Sequence, residues 1–208
     1  MMRRQLVILA LLALCLLVAP AGAWQDDFQS GTAYGWTAQL YQKDPNVSGG
    51  CVSVTASPYI DTYALKIFTE YLYDWQDFYK WIVYPNPNQN FNYVAFTVVQ
   101  ETTDNYWGAY ISLLSETGTT LCSFEYAISN LISSNTRVEI LRDGNTAYLY
   151  VNGVQRASRT CNGQPYNLAI DLPAAKYYTG TQNILIIDDV IIGTGEPGII
   201  GIIPEGWY

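Results

Sequence analysis

Apolar and polar residues alternate with a period of two through most of the chain after residue 23. Successive side chains of a strand point to opposite faces, so this alternation predicts half-buried β-structure. The clearest stretch is TRVEILRDGNTAYLYVNGVQ, Thr136 to Gln155. Val138, Ile140, Ala147, Leu149 and Val151 fall on one face; Glu139, Tyr148, Tyr150 and Asn152 fall on the other. Asp143-Gly144-Asn145 joins the two runs with residues that tolerate positive φ, as a tight turn between right-twisted strands requires. Asn152-Gly153 is a second turn of the same chemistry. Leu149 and Val151 are expected in the core, because the opposite register would bury two tyrosines and an amide that needs partners.

Other runs follow the same rule. Asp77 to Tyr84 reads as a strand, and Asn92 to Gln100 is apolar on both faces, which predicts a central one. Tyr106 to Leu114 and Thr120 to Ser129 flank the Gly-containing turn SETGT and read as a hairpin. Asn167 to Leu172 and Ile184 to Gly193 finish the set. Gly and Pro clusters at 48–50, 85–90 and 159–165 mark loops. About ten short strands and no long helical period predict an all-β sandwich or barrel.

The ends are read separately. Met1 to Arg4 is basic, Leu6 to Ala19 is unbroken apolar sequence, and Ala21-Gly22-Ala23 is a small-residue cleavage site. That is the layout of a secretory signal peptide over 1–23, and the run is shorter than the roughly 20 apolar residues of a membrane span. Cys15 lies inside this segment. The expected domain covers 24–193, and 194–208 reads as a Gly/Pro-punctuated apolar tail or linker. A secreted or cell-surface location follows.

Composition then narrows the chemistry. The chain carries a net charge of −8, and loss of Arg3 and Arg4 with the signal makes it more acidic still. An acidic surface repels phosphate, so nucleic acid is excluded as a partner. The absence of histidine removes histidine bases, Ser-His-Asp triads and His-ligated metals. With 18 Tyr, 6 Trp and 6 Phe, the chain suits pleated, half-buried surfaces. Cys51, Cys122 and Cys161 are an odd set, so at most one disulfide forms among them, its pairing open. Asn46-Val47-Ser48 is a glycosylation sequon, expected in an exposed loop.

Three motifs carry a family resemblance. VEILRDGNTAYLYVNG resembles a strand pair of the concanavalin A-like, laminin-G-like jelly rolls. WQDDFQSGTAYGWTA is similar to the Asp-x-Phe…Gly-Trp opening of secreted jelly-roll modules, and ILIIDDVIIG resembles their closing strand. The resemblance spans about 24–193 and implies an antiparallel jelly-roll β-sandwich of two sheets, with first and last strands adjacent. A galactose-binding-like jelly roll shares the opening and closing motifs and is the alternative fold.

Candidate chemistry is sparse. The Tyr-rich segment 70–84 contains Tyr71, Tyr73, Trp75, Tyr79 and Trp81, with Asp74 and Asp77 nearby. Flat sugar faces stack on such rings while carboxylates and amides take the hydroxyls, so these residues, with Tyr148 and Tyr150, are candidates for binding a glycan or another cell-surface polymer. The competing use is ordinary cross-strand packing. The resemblance implies a structural calcium site near the paired termini, for which Asp26, Asp27, Asp188 and Asp189 are candidates; turn capping is the competing role. Retaining glycosidases of this type hold two carboxyls about 5 Å apart. No Glu-x-Asp-x-Glu run occurs, and Glu125 and Glu139 stand alone in their strands. The expected function is therefore non-catalytic recognition. A structural or adhesive envelope domain, with a protein partner for the C-terminal tail, is one alternative. A glycoside hydrolase or lyase with cross-strand carboxylates is the other.

Overall fold

The structure, a computed structural model, describes residues 24–33, 35–42, 51–56, 63–70, 79–85, 87, 89–102, 109–124, 135–173 and 182–194. The signal segment, the sequon, Tyr71, Tyr73, Trp75, Glu125 and the tail beyond residue 194 lie outside these residues. Among the described residues there is no helix, and thirteen strands form two sheets. They are β1 (Trp24–Asp26), β2 (Trp36–Gln42), β3 (Cys51–Ala56), β4 (Tyr63–Glu70), β5 (Tyr79–Pro85), β6 (Tyr93–Thr102) and β7 (Tyr110–Leu114). There follow β8 (Thr120–Phe124), β9 (Thr136–Asp143), β10 (Thr146–Val151), β11 (Val154–Thr160), β12 (Asn167–Pro173) and β13 (Gln182–Gly193). Each expected strand has a counterpart, with its positions 77–78, 106–108 and 125–129 outside the described residues; β1 to β4 and β11 are additional.

The larger sheet has the order β11-β10-β9-β6-β13-β4-β3, with β1 paired to the C-terminal end of β13. The smaller has the order β2-β5-β12-β7-β8, and every pairing in both sheets is antiparallel. First and last strands are thus neighbours, and β6 is central, flanked by β9 and β13. Two sheets result because each has one apolar face that must be removed from water. From the larger sheet, Leu65, Ile67, Val94, Phe96, Val98, Val138, Ile140, Ala147, Leu149, Leu185 and Ile187 enter the core; from the smaller come Ile111, Leu113, Phe124, Leu168, Ile170 and Leu172. The hairpin register is the expected one: Leu149 and Val151 are buried, Tyr148 and Tyr150 half-buried.

The turns show their chemistry directly. Asn152 and Gly153 both take positive φ, 49° and 73°, between the paired Val151 and Val154; this double left-handed step matches strand twist. Gly144 alone does so in the β9–β10 turn, at 54°.

The opening motif has a local explanation. Asp26 accepts the Phe28 N–H on Oδ1 and the Trp36 indole N–H on Oδ2, both at 2.8 Å. Trp36 packs on Trp24 and Phe28, each with centroids 5.6 Å apart. The Asp-x-Phe…Gly-Trp pattern is a latch that fixes the chain between β1 and β2.

Candidate functional site

Core residues of β6, β9 and β10 alternate with a second set that shares the outward face of the larger sheet. Register aligns this set in rows. Tyr148 is opposite Leu141, which is opposite Tyr93. Tyr150 is opposite Glu139, which is opposite Ala95. Arg137 is opposite Thr97, which is opposite Asp188 of β13.

The middle of this face is buried: Ala95 is fully covered and Glu139 is 5% exposed. A buried carboxylate needs donors, and the Tyr93 hydroxyl supplies one to Glu139 Oε1 at 2.7 Å. Burial, and then the Glu139 carboxylate, push the Tyr93 hydroxyl well above the ordinary tyrosine range, so it stays protonated and donating at any physiological pH. Arg137 lies two residues along β9. Its Nη1 donates to the Asp189 carbonyl at 3.1 Å and to Thr97 Oγ1 at 3.4 Å. Its Nε is buried with no hydrogen-bond partner among the described residues.

Toward β4 the same face turns apolar. Ala64, Val99 and Ile186 form a small buried cluster with Ile184 against it, and Lys66 Nζ lies 5.0 Å from the Phe68 ring centroid. The polar and aromatic half therefore lies over β10, β9 and β6.

Tyr79 and Trp81 belong to β5 of the other sheet, and Trp81 is the register partner of the core residue Leu172. Tyr79 and Trp81 thus belong to a different sheet from Tyr148 and Tyr150, while Tyr71, Tyr73 and Trp75 lie outside the described residues. Tyr93 and Arg137 were not singled out in the sequence. The signal for Tyr93 is the alternation of Tyr93, Ala95 and Thr97 with the core residues Val94, Phe96 and Val98, and that for Arg137 is the alternation of Arg137 and Glu139 with Val138 and Ile140.

The four aspartates sit at the paired ends of β1 and β13, where Asp26 is opposite Val190. A bulge at Asp189, φ 49°, resets alternation there, so Ile187 and Val190 both face the core. Asp188 is buried, and its Oδ1 accepts the Asp189 N–H at 2.8 Å. Asp27 Oδ1 accepts the Gln29 N–H at 3.1 Å. Both Asp26 oxygens already accept protein donors, and burial raises its carboxyl above the ordinary range. Among the described residues no three acidic or cysteine side chains gather as metal ligands would.

No family model matches the chain, and no curated protein matches it in sequence. Solved structures do match in shape. A sialidase superposes with TM-score 0.60 at 14% identity, over 84% of this chain and only 18% of that one. A cellulose-induced protein, Cip1, gives TM-score 0.55 at 14% identity, covering 84% of this chain and 100% of that one. A family 16 glycoside hydrolase, an endo-glucanase from Bacteroides ovatus, gives 0.54 at 10% identity over 81% and 99% of the two chains. At these identities the likeness shows the fold alone, a two-sheet antiparallel β-sandwich shared with these proteins and in keeping with the jelly-roll resemblance of the sequence.

Proposed function

We propose that this is an exported recognition domain that binds a neutral polysaccharide across the outward face of its larger sheet. One observation carries the reading: Tyr148 and Tyr150 are half-buried on the face that also holds the Tyr93–Glu139 hydrogen bond and Arg137. Ring faces offer stacking surfaces to sugar C–H groups, while a fixed carboxylate and guanidinium offer an acceptor and donors to hydroxyls. The net charge of −8 favours a neutral polymer over an acidic one. The glucanase and cellulose-induced protein among the structural neighbours support a carbohydrate partner. Export rests on the N-terminal segment.

Affinity electrophoresis through gels containing mixed-linkage glucan, xylan or galactomannan tests the reading. Retention by at least one gel, lost in the Tyr148→Ala, Tyr150→Ala double variant that still unfolds cooperatively, is the expected result. Absence of retention in every gel, or retention indifferent to both tyrosines, overturns it.

A second reading is catalytic, and the buried carboxylate of Glu139 on the same face favours it. Release of reducing ends or unsaturated products, abolished in Glu139→Gln, would establish a hydrolase or lyase in place of a binding domain.

A further inference from the structure

Topology separates Cys51 from the other two cysteines after the N-terminal segment. Cys51 opens β3, the terminal strand at one end of the larger sheet, and Cys161 follows β11, the terminal strand at the other end. Six strand spacings lie between them, about 29 Å across the sheet. A disulfide needs Cα atoms within about 6.8 Å, so Cys51 cannot bond to Cys161. Cys122 lies in β8, the edge strand of the smaller sheet, and β8 packs against β11. Cys51 is therefore remote from Cys122 as well.

Cys122 and Cys161 meet. Their sulfurs are 2.7 Å apart, both residues are buried, and both thiols are free in the structure. The backbone around Cys161 is held in place: its N–H donates to the Asn145 carbonyl at 2.8 Å, and its carbonyl accepts Arg142 Nε at 3.4 Å. We propose that Cys122 and Cys161 close into a disulfide in the exported protein, tying the outermost strand of one sheet to the outermost strand of the other, and that Cys51 is the odd thiol. Each thiol gives up one proton and one electron as the S–S bond forms. The two electrons and two protons pass to a dithiol–disulfide oxidant, whose own disulfide is reduced to two thiols. Burial, then the contact with Cys161, hold the Cys122 thiol far above its ordinary ionisation range. Thiolate, the species that attacks a disulfide, is therefore scarce in the folded chain. The bond forms while the chain is still folding, and afterwards the same burial shields it from reductants.

The proposal presumes export, so the test has two arms. The full chain is recovered from a secreting host, and separately refolded in a glutathione redox buffer; free thiols are alkylated under denaturing conditions, and unreduced digests are mapped by mass spectrometry. The expected product in both arms is a linked peptide pair containing Cys122 and Cys161, lighter by two hydrogens than the reduced pair, with Cys51 alkylated. Reductant should lower the unfolding midpoint of the wild type and leave that of the Cys122→Ser, Cys161→Ser double variant unmoved. Alkylated Cys122 and Cys161 after refolding, or either linked to Cys51, overturns the pairing. The pair linked after refolding but free in the secreted chain supports the pairing and counts against export through an oxidising route.

Discussion

Leu149→Ala tests the face assignment on which the proposed binding surface depends. Leu149 is fully buried between the sheets, so truncation removes three carbons from the core. Their transfer is worth about 2.4 kcal/mol at roughly 0.8 kcal/mol per carbon. The space left behind adds about 24 cal/mol per Å³. If the packing closes over about half of an ~80 Å³ void, the residual cavity costs about 1 kcal/mol more. The sum, about 3.5 kcal/mol, corresponds to a drop in Tm of about 7–14 °C for a domain of this size. Its neighbour Tyr150 is half-buried on the other face, so Tyr150→Ala should cost less stability and remove binding. Urea denaturation followed by tryptophan fluorescence, with both variants at one pH and salt concentration, gives the two values. A Tyr150→Ala variant less stable than Leu149→Ala would refute the register and, with it, the location of the face.

Three other outcomes are expected. Asp26 holds its proton more tightly in the folded chain than in the unfolded one, so its stabilising contribution is full below pH ~3.9 and is lost as pH rises through its folded value. Asp26→Asn removes that titration, and melting curves of variant and wild type across pH 3–7 should diverge; parallel curves would contradict the raised carboxyl. Gly163 has φ 113°, and a Cβ there would meet Leu121 Cδ2 at 3.0 Å, whereas Gly118, φ 80°, opens on space; Gly163→Ala should cost about 1–3 kcal/mol by equilibrium unfolding, more than Gly118→Ala. Calcium added to chelator-treated protein should leave Tm unmoved because Asp26 already serves protein donors; a saturating rise would instead show that the folded chain binds the ion.

Legibility along the chain followed the physics of each element. The β9–β10 hairpin could be read because Val138, Ile140, Ala147, Leu149 and Val151 share one face and its turns carry Gly and Asn where positive φ is needed. β11 could not, because VQRASRT has no apolar face and the strand is exposed apart from Ala157. In β4 the alternation of Leu65 and Ile67 with polar positions is blurred, because Ala64 packs in a second cluster on the opposite side. The bulge at Asp189 turns on one left-handed residue, a state Asp tolerates but does not announce. The candidate site was the least legible part. Tyr93 and Glu139 are 46 positions apart in sequence, and only the pairing of β6 with β9 makes them partners.

The exposed character of β11 bears on how copies of this protein meet. A sheet that ends in a free strand offers unpaired N–H and C=O groups to any extended chain, and a flat apolar edge invites stacking into fibrils. Here the last strand of the larger sheet carries Arg156 and Arg159, both exposed, and a register shift in its pairing with β10 between Leu149 and Tyr150. Two such edges brought together would crowd four guanidinium groups onto one short ladder and bury little in return. The strand thus ends the sheet as a fence, favouring separate molecules over aggregates.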